Sequence, residues 1–326
     1  MNAPLLPDRG HLTICFAHVA YRLGDCFVLR NTGIRFFELR TFDELMARIG
    51  QADVLVVSGL WRNELLGRAE KLRFIQSISA GTDQYAREAL RARGIRLASA
   101  QGANERAVAE HAIALMLALA RQLPQARDNQ ARRHWRGMIS DPALREDEIS
   151  GKTLLIVGLG RIGSRLAALA SGFGMRVIAT KRNPAVEAGA VELVAAQDRL
   201  LELLPQADFV ALTCPLTRET ELLFGAGAFD AMKPSAFVIN VARGRVVDEP
   251  ALIRTLRQGR IAGAALDCFW EEPLPPHSPL WTLPNVLITP HAAGETRRYE
   301  DNVIDLLLEN LGRLWRGERE LKNQIV

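Results

Sequence analysis

The chain has 326 residues, of which 48% are hydrophobic, 24% charged and 6% aromatic. That leaves room for two ordinary domains with packed cores and excludes disorder as a description of the whole. A net charge of +4, from 41 Lys and Arg against 37 Asp and Glu, is too mild and too evenly spread to point to a nucleic-acid partner.

The longest apolar run, Ala112 to Ala120, is nine residues, well short of the roughly 20 that cross a bilayer. Pro4, Pro7, Asp8 and Arg9 precede any apolar stretch, which is not the layout of a signal peptide. A cytoplasmic protein with no membrane partner is expected. Cys15, Cys26, Cys214 and Cys268 show no CxxC spacing, so they read as reduced thiols, and no metal site is expected.

In chain order, Leu12–His18, Val54–Val57 and Arg73–Ile78 read as buried strands separated by helix-length segments, the pattern of a parallel sheet with crossover helices. A long Ala/Leu helix is expected from about Asn104, its N-cap, to Arg121, with a stop near Pro124. Glu110 and His111 lie where this helix could face a neighbour. Residues 122–150 are polar and read as an arm outside any core, with Trp135 isolated in them and Arg132, Arg133 and Arg136 set beside Asp141, Glu146, Asp147 and Glu148. From Lys152 the signal sharpens. Strands are expected at Thr153–Val157, Arg176–Ala179, Phe209–Leu212, Ala236–Asn240, Ala262–Leu266 and Val286–Ile288, with helices between them. That series is doubly wound and ends near residue 292. A last helix, roughly Arg297–Gly317, follows it and could return to cover the first domain. The expected architecture is therefore α/β, with two doubly wound parallel-sheet domains. The first, residues 1–102 plus 294–326, is discontinuous, and residues 103–293 form the second.

Gly158-Leu-Gly160-Arg-Ile-Gly163 follows five strand residues and opens an Ala-rich helix. In that context GxGxxG implies a dinucleotide, because the glycines permit a tight turn and a close approach of backbone to pyrophosphate. The helix N-terminus then offers free N–H groups to the phosphates. An acid at the end of the second strand would hold a ribose diol. Here the run is Thr180-Lys181-Arg182-Asn183, with no acid until Glu187. Two cations at that spot suit the extra phosphate of NADP, and NAD remains possible.

Three further segments follow later strands: Asn240-Val-Ala-Arg243-Gly, Leu266-Asp267-Cys-Phe-Trp-Glu271-Glu272-Pro273, and Thr289-Pro-His291-Ala-Ala-Gly294. Ligands of open α/β sheets sit at the carboxyl ends of strands, so Arg243, Glu272 and His291 could converge there. Arginine clamps a carboxylate in bidentate fashion. Histidine exchanges a proton near neutral pH, oriented by a neighbouring carboxylate.

Together with Ser79-Ala80-Gly81-Thr82-Asp83 and Cys214-Pro215-Leu216-Thr217, these segments resemble the D-isomer-specific 2-hydroxyacid dehydrogenase family, over about Val54 to Asn323. In that family an acid usually follows the last motif glycine by 18 positions, where this chain has Lys181. The resemblance is therefore closest to the NADP-preferring glyoxylate/hydroxypyruvate reductase branch. It implies a Rossmann coenzyme domain inserted into a flavodoxin-like substrate domain, and a small 2-keto acid reduced to the D-2-hydroxy acid with NADPH preferred. His291 would protonate the carbonyl oxygen, Glu272 would keep it protonated, and Arg243 would hold the carboxylate, helped by the N–H groups of Ala80 and Gly81. Gly158, Gly160, Arg161, Ile162, Gly163, Thr180, Lys181, Arg182, Cys214, Pro215, Thr220, Val241, Asp267 and His291 are the implied cofactor contacts, with Asp267 on the nicotinamide carboxamide. Glu272 sets the chain apart from formate dehydrogenases of the superfamily. Members are typically homodimers joined through the coenzyme domain, and the 104–121 helix and the 122–150 arm are the candidate contact. Trp61 and Arg62 could border the substrate, with packing the commoner role for such a tryptophan. Two alternatives remain: an NAD-preferring, broad-range dehydrogenase, and a non-catalytic dinucleotide sensor of the corepressor type.

Overall fold

The computed structural model describes residues 6–184 and 189–326; Pro4 and Glu187, both used above, lie outside them. Two compact units emerge, Met1–Asn104 with Glu295–Val326, and Glu105–Gly294. No helix among the described residues is long and apolar enough to cross a membrane.

The first unit begins with β1 (Thr13–Ala17), α1 (Leu23–Val28), β2 (Arg35–Leu39), α2 (Phe42–Arg48), β3 (Val54–Val57), β4 (Phe74–Ser77), α3 (Arg87–Ala92) and β5 (Arg96–Ala98). All five strands are parallel, in the order β2-β1-β3-β4-β5, which is the flavodoxin-like winding. Val54–Val57 is wholly buried, as a central parallel strand covered on both faces must be. β2 and β5 escape the sequence reading because they are edges. Arg35–Leu39 is mostly half-exposed, and Arg96–Ala98 is only three residues long.

The second unit contains α4 (Glu105–Ala120), α5 (Leu123–Ala131), β6 (Thr153–Val157), α6 (Arg161–Gly172), β7 (Arg176–Thr180), β8 (Leu193–Ala195), α7 (Leu200–Leu203), β9 (Phe209–Leu212), α8 (Ala226–Ala231), β10 (Phe237–Asn240), α9 (Glu249–Arg257), β11 (Gly263–Leu266) and β12 (Val286–Ile288). Its seven parallel strands run β12-β11-β10-β9-β6-β7-β8, the Rossmann winding with one strand added at the edge. Side chains alternate across this sheet. Leu155 and Val157 join the core under α7, α8 and α9, while Leu154 and Ile156 join the core under α4 and α6. Each fully buried aliphatic contributes about 1.5–3 kcal/mol, so both faces are strongly held.

α4 ends at Ala120, close to the expected stop, but Pro124 opens a second helix rather than ending the first. Gln122 adopts φ +50 and breaks the chain direction after α4, and Pro124 then sits in the first turn of α5, where its missing N–H costs nothing. α5 buries no residue, so the arm keeps its polar character, and Arg136 pairs with Glu146 inside it. The final helix, α10 (Tyr299–Trp315), belongs to the first unit, where Val303, Ile304, Leu307, Leu311 and Leu314 enter the core with Phe16 and Phe27. Buried Asn310 donates to Gln76 Oε1 at 2.9 Å and accepts from Lys322 N at 2.8 Å, so neither amide is left unpaired.

Candidate active site

The glycine turn joins β6 to α6. Gly158 has φ +99, and a Cβ there would stand 2.6 Å from Cys214 Cα. The turn after β6 therefore lies directly on the loop after β9. A Cβ on Gly163 would meet Gly158 O at 2.8 Å and Ile156 Cγ2 at 3.0 Å, so this glycine lets the helix close on its strand. A Cβ on Gly160 would meet nothing within 4 Å, and Gly160 caps α6 with no side-chain hydrogen bond of its own. Open space beside the free N–H groups of Arg161, Ile162 and Gly163 fits a pyrophosphate.

β7 ends at Thr180, which is fully buried, its hydroxyl without a hydrogen-bond partner among the described residues. Half-exposed Lys181 and exposed Arg182 follow at once. Arg182 also bears on the loop after β9. The Glu219 carboxyl is held below its ordinary range, chiefly by the Thr217 hydroxyl and its own backbone N–H, with Arg182 and Arg218 adding to the effect. In the same loop Thr220 Oγ1 donates to Pro215 O at 2.6 Å and accepts from Thr217 N at 2.7 Å. Cys214, Pro215 and Thr220 thus belong to one braced turn facing the glycines.

On the other side of β9 stand the acid–base groups. Asn240, at the end of β10, accepts from Ala242 N at 3.0 Å and donates to Arg243 O at 3.1 Å. It braces the loop that carries Val241 and Arg243. A Cβ on Gly244 would fall 2.0 Å from Phe269 C and O, so the loops after β10 and β11 interlock and keep Arg243 beside Glu272. Glu272 Oε1 accepts from Phe269 N at 2.9 Å, and Oε2 lies 2.7 Å from His291 Nδ1. Burial raises the Glu272 carboxyl, but His291, the Phe269 N–H and Arg243 outweigh it and hold the group below its ordinary range. His291 itself has φ +54, an uncommon conformation for a side-chain-bearing residue. Asp267, 2% exposed, accepts from Thr289 Oγ1, Ala292 N and Ala293 N at 2.6, 2.9 and 3.0 Å, so its visible task is to hold the His291 loop.

The structure thus brings Arg243, Glu272, His291, Asp267 and Val241 together at the carboxyl ends of β10–β12, and the other implied cofactor contacts at those of β6, β7 and β9. Ala80 and Gly81 follow β4 in the first unit, half-exposed. Their N–H groups make no hydrogen bond among the described residues, while Ser79 is tied to Ser77 and Ser58. Trp61 is 1% exposed, so it is packed away, and Arg62 turns back onto the carbonyls of Gly59 and Trp61 at 2.9 and 2.7 Å. The sequence reading placed His111 where the helix could face a neighbour but did not identify its partner: Nε2 meets Thr289 Oγ1 at 3.1 Å. Val108, His111, Ala112, Leu115 and Met116 follow helical spacing, and a histidine on that stripe was the available signal. No group of three or more His, Cys, Asp or Glu side chains able to hold a metal occurs among the described residues.

The sequence profile of the D-isomer specific 2-hydroxyacid dehydrogenase, NAD binding domain, matches residues 113–293. A D-3-phosphoglycerate dehydrogenase from Methanocaldococcus jannaschii is 38% identical over 85% of this chain, a match spanning 52% of that relative's length. A glyoxylate/hydroxypyruvate reductase B from Yersinia enterocolitica is 38% identical over 82% of each chain. Among solved structures, the NADPH-dependent glyoxylate/hydroxypyruvate reductase of Sinorhizobium meliloti, in complex with NADP and malonate, superposes with a TM-score of 0.81. It is 26% identical and covers 97% of both chains.

Proposed function

The chain belongs to the D-isomer-specific 2-hydroxyacid dehydrogenase family and is an oxidoreductase with a nicotinamide dinucleotide cofactor; from that premise we propose that it reduces a small 2-keto acid of the glyoxylate/hydroxypyruvate type, with NADPH preferred. The observation that carries this reading is the 2.7 Å contact of His291 Nδ1 with Glu272, beside Arg243 and on the same sheet as the open glycine turn. When bound, the reduced cofactor supplies the hydride. Glu272 occupies Nδ1, so Nε2 of His291 is the nitrogen left to deliver a proton to the carbonyl oxygen. Glu272 holds the ring by Nδ1 during that transfer. Arg243 offers a planar pair of donors to the substrate carboxylate. In the first unit, Ala80 and Gly81 present two further N–H donors of the kind a carboxylate accepts.

For the cofactor, Lys181 and Arg182 directly after β7 support the phosphate of NADP, and the Sinorhizobium relative is described as NADPH-dependent. The same reading makes the chain a homodimer through its coenzyme unit. Support comes from the arm, where α5 buries nothing and Trp135 and Met138 are 96% and 99% exposed. A monomer mass by sedimentation would remove the dimer. The deciding experiment follows absorbance at 340 nm with glyoxylate, hydroxypyruvate, pyruvate and phenylpyruvate, each with NADPH and NADH. Oxidation fastest with NADPH and either glyoxylate or hydroxypyruvate is expected. Tight cofactor binding without turnover on any of the four would defeat the proposal.

A further inference from the structure

His111 lies on α4, 178 residues before Thr289 in sequence, yet its Nε2 is 3.1 Å from Thr289 Oγ1 and 3.7 Å from Asp267 Oδ1. The direction of each hydrogen bond follows from counting protons. Both oxygens of Asp267 already accept from backbone N–H groups, Oδ1 from Ala292 and Oδ2 from Ala293, so this carboxylate acts as an acceptor. The hydroxyl of Thr289 has one proton, and the 2.6 Å contact with Asp267 Oδ1 takes it. Thr289 Oγ1 must therefore accept from His111, which carries a proton on Nε2. His111 is a donor at the head of a short chain that runs from His111 to Thr289 to Asp267 and ends on the two N–H groups just after His291.

The chain of bonds encloses the turn that aims His291. Thr289 stands two residues before it, Ala292 and Ala293 directly after it, and His291 N donates to Thr289 O at 3.0 Å across the turn. At φ +54 the backbone of His291 occupies a sparsely populated region that persists only where its surroundings dictate it. Asp267 is the anchor, and the imidazole of His111 on α4, one quarter exposed, is hydrogen-bonded to it through Thr289.

We propose that His111 is a positioning residue for the reaction: acting through Thr289 and Asp267, it fixes the left-handed turn that presents His291. The proposal rests on the reading of His291 as proton donor. Without the Nε2 donor, the Thr289 hydroxyl keeps only its bond to Asp267, and the turn loses its link to α4. The His291 ring then shifts relative to Glu272 and to the carbonyl it serves, and misplacement of about 1 Å at a reacting group costs roughly 100-fold in rate.

The test compares three variants of the intact enzyme with NAD(P)H and the best 2-keto acid. His111→Phe keeps a flat ring and removes the donor, while His111→Gln returns an N–H at nearly the same reach. Thr289→Val cuts the same link without touching α4 and serves if His111→Phe does not fold. His111→Phe and Thr289→Val are each expected to lower kcat about 10- to 100-fold. The KM for cofactor should stay within about two-fold, and the isotope effect from deuterium at the transferred hydrogen should grow. His111→Gln should recover most of the rate, and the Phe/Val double variant should be little worse than either single. A His111→Phe enzyme with unchanged kcat overturns the proposal, as does Gln performing no better than Phe, or a loss explained by a smaller folded fraction alone. His291→Ala separates the two readings. If that variant turns over normally, the proton-donor role fails and this proposal with it; if it is inactive while His111→Phe is normal, only the positioning role fails.

Discussion

The two halves of the seven-stranded sheet share one architecture and carry opposite kinds of site. From β6 to β8 the carboxyl ends supply mostly small residues and backbone, with Lys181 and Arg182 after β7 the charged exception: Gly158 pressed on Cys214, Gly160 facing open space, and the first turn of α6. From β10 to β12 they supply charged side chains, each pinned by a neighbouring loop: Arg243 by Asn240 and the Gly244–Phe269 contact, Glu272 by Phe269 N, and the His291 loop by Asp267. A phosphate needs N–H groups it can approach closely, so side chains are excluded there. A proton and a carboxylate need placed functional groups, so side chains are held rigid instead. On this division, damage to the second half should appear in kcat, and damage to the first half in cofactor affinity and choice.

The largest expected effect tests the second half. His291→Ala removes the proposed proton donor and should cut kcat by about 100-fold or more, with cofactor affinity nearly unchanged. Single-turnover kinetics would check this, and a loss mainly in cofactor binding would break the division of labour between the halves. Glu272→Gln should cost less, about 10-fold in kcat, because the imidazole remains while its orienting charge is gone. That charge has a pH signature as well. The folded Glu272 carboxyl is held below its ordinary value, about 4.3 for a free glutamate. Its contribution to stability is therefore complete above the unfolded value and fades as pH falls through the folded one. Urea midpoints of wild type and Glu272→Gln should differ at about pH 5.5 and draw together near about pH 3. Equal midpoints at both would show that the carboxylate is not held by its partners.

The same contrast decides what the sequence could reveal. Val54–Val57 and Thr153–Val157 are legible because a strand buried on both faces must be continuously apolar. Arg35–Leu39, Arg96–Ala98 and Leu193–Ala195 are not, because a half-exposed edge or a three-residue strand has no clear period. α5 was hidden for another reason: Pro124 marks a helix start as readily as a stop, and only the φ +50 at Gln122 distinguishes them. At the site, Arg243, Glu272 and His291 stand out because their residue types announce their chemistry and each follows a recognisable strand. His111 does not, since its meaning depends on a contact with Thr289 across 178 residues that no local pattern encodes.

The smallest expected effect sharpens the first half. Lys181 and Arg182 leave β7 where a ribose-binding acid would otherwise stand, and they differ in what they can offer. Lys181 is half-exposed, with its backbone tied to Ala195 O at 2.9 Å, so its ammonium starts from a fixed point. Arg182 is exposed, and its charge adds to the lowering of the Glu219 carboxyl on the loop after β9. A charge-assisted hydrogen bond is worth about 1.5–3 kcal/mol, and exposure reduces that by screening. Replacing both residues with Gln should therefore raise the KM for NADPH by roughly 10-fold and leave NADH within about two-fold, since only NADPH has the phosphate they would meet. The NADPH penalty should also shrink as salt is added, because screened cations contribute less to the parent enzyme as well. An equal loss for both cofactors would mean that these side chains support the loop rather than the phosphate. An unchanged preference would mean that neither cation takes part in the choice of cofactor.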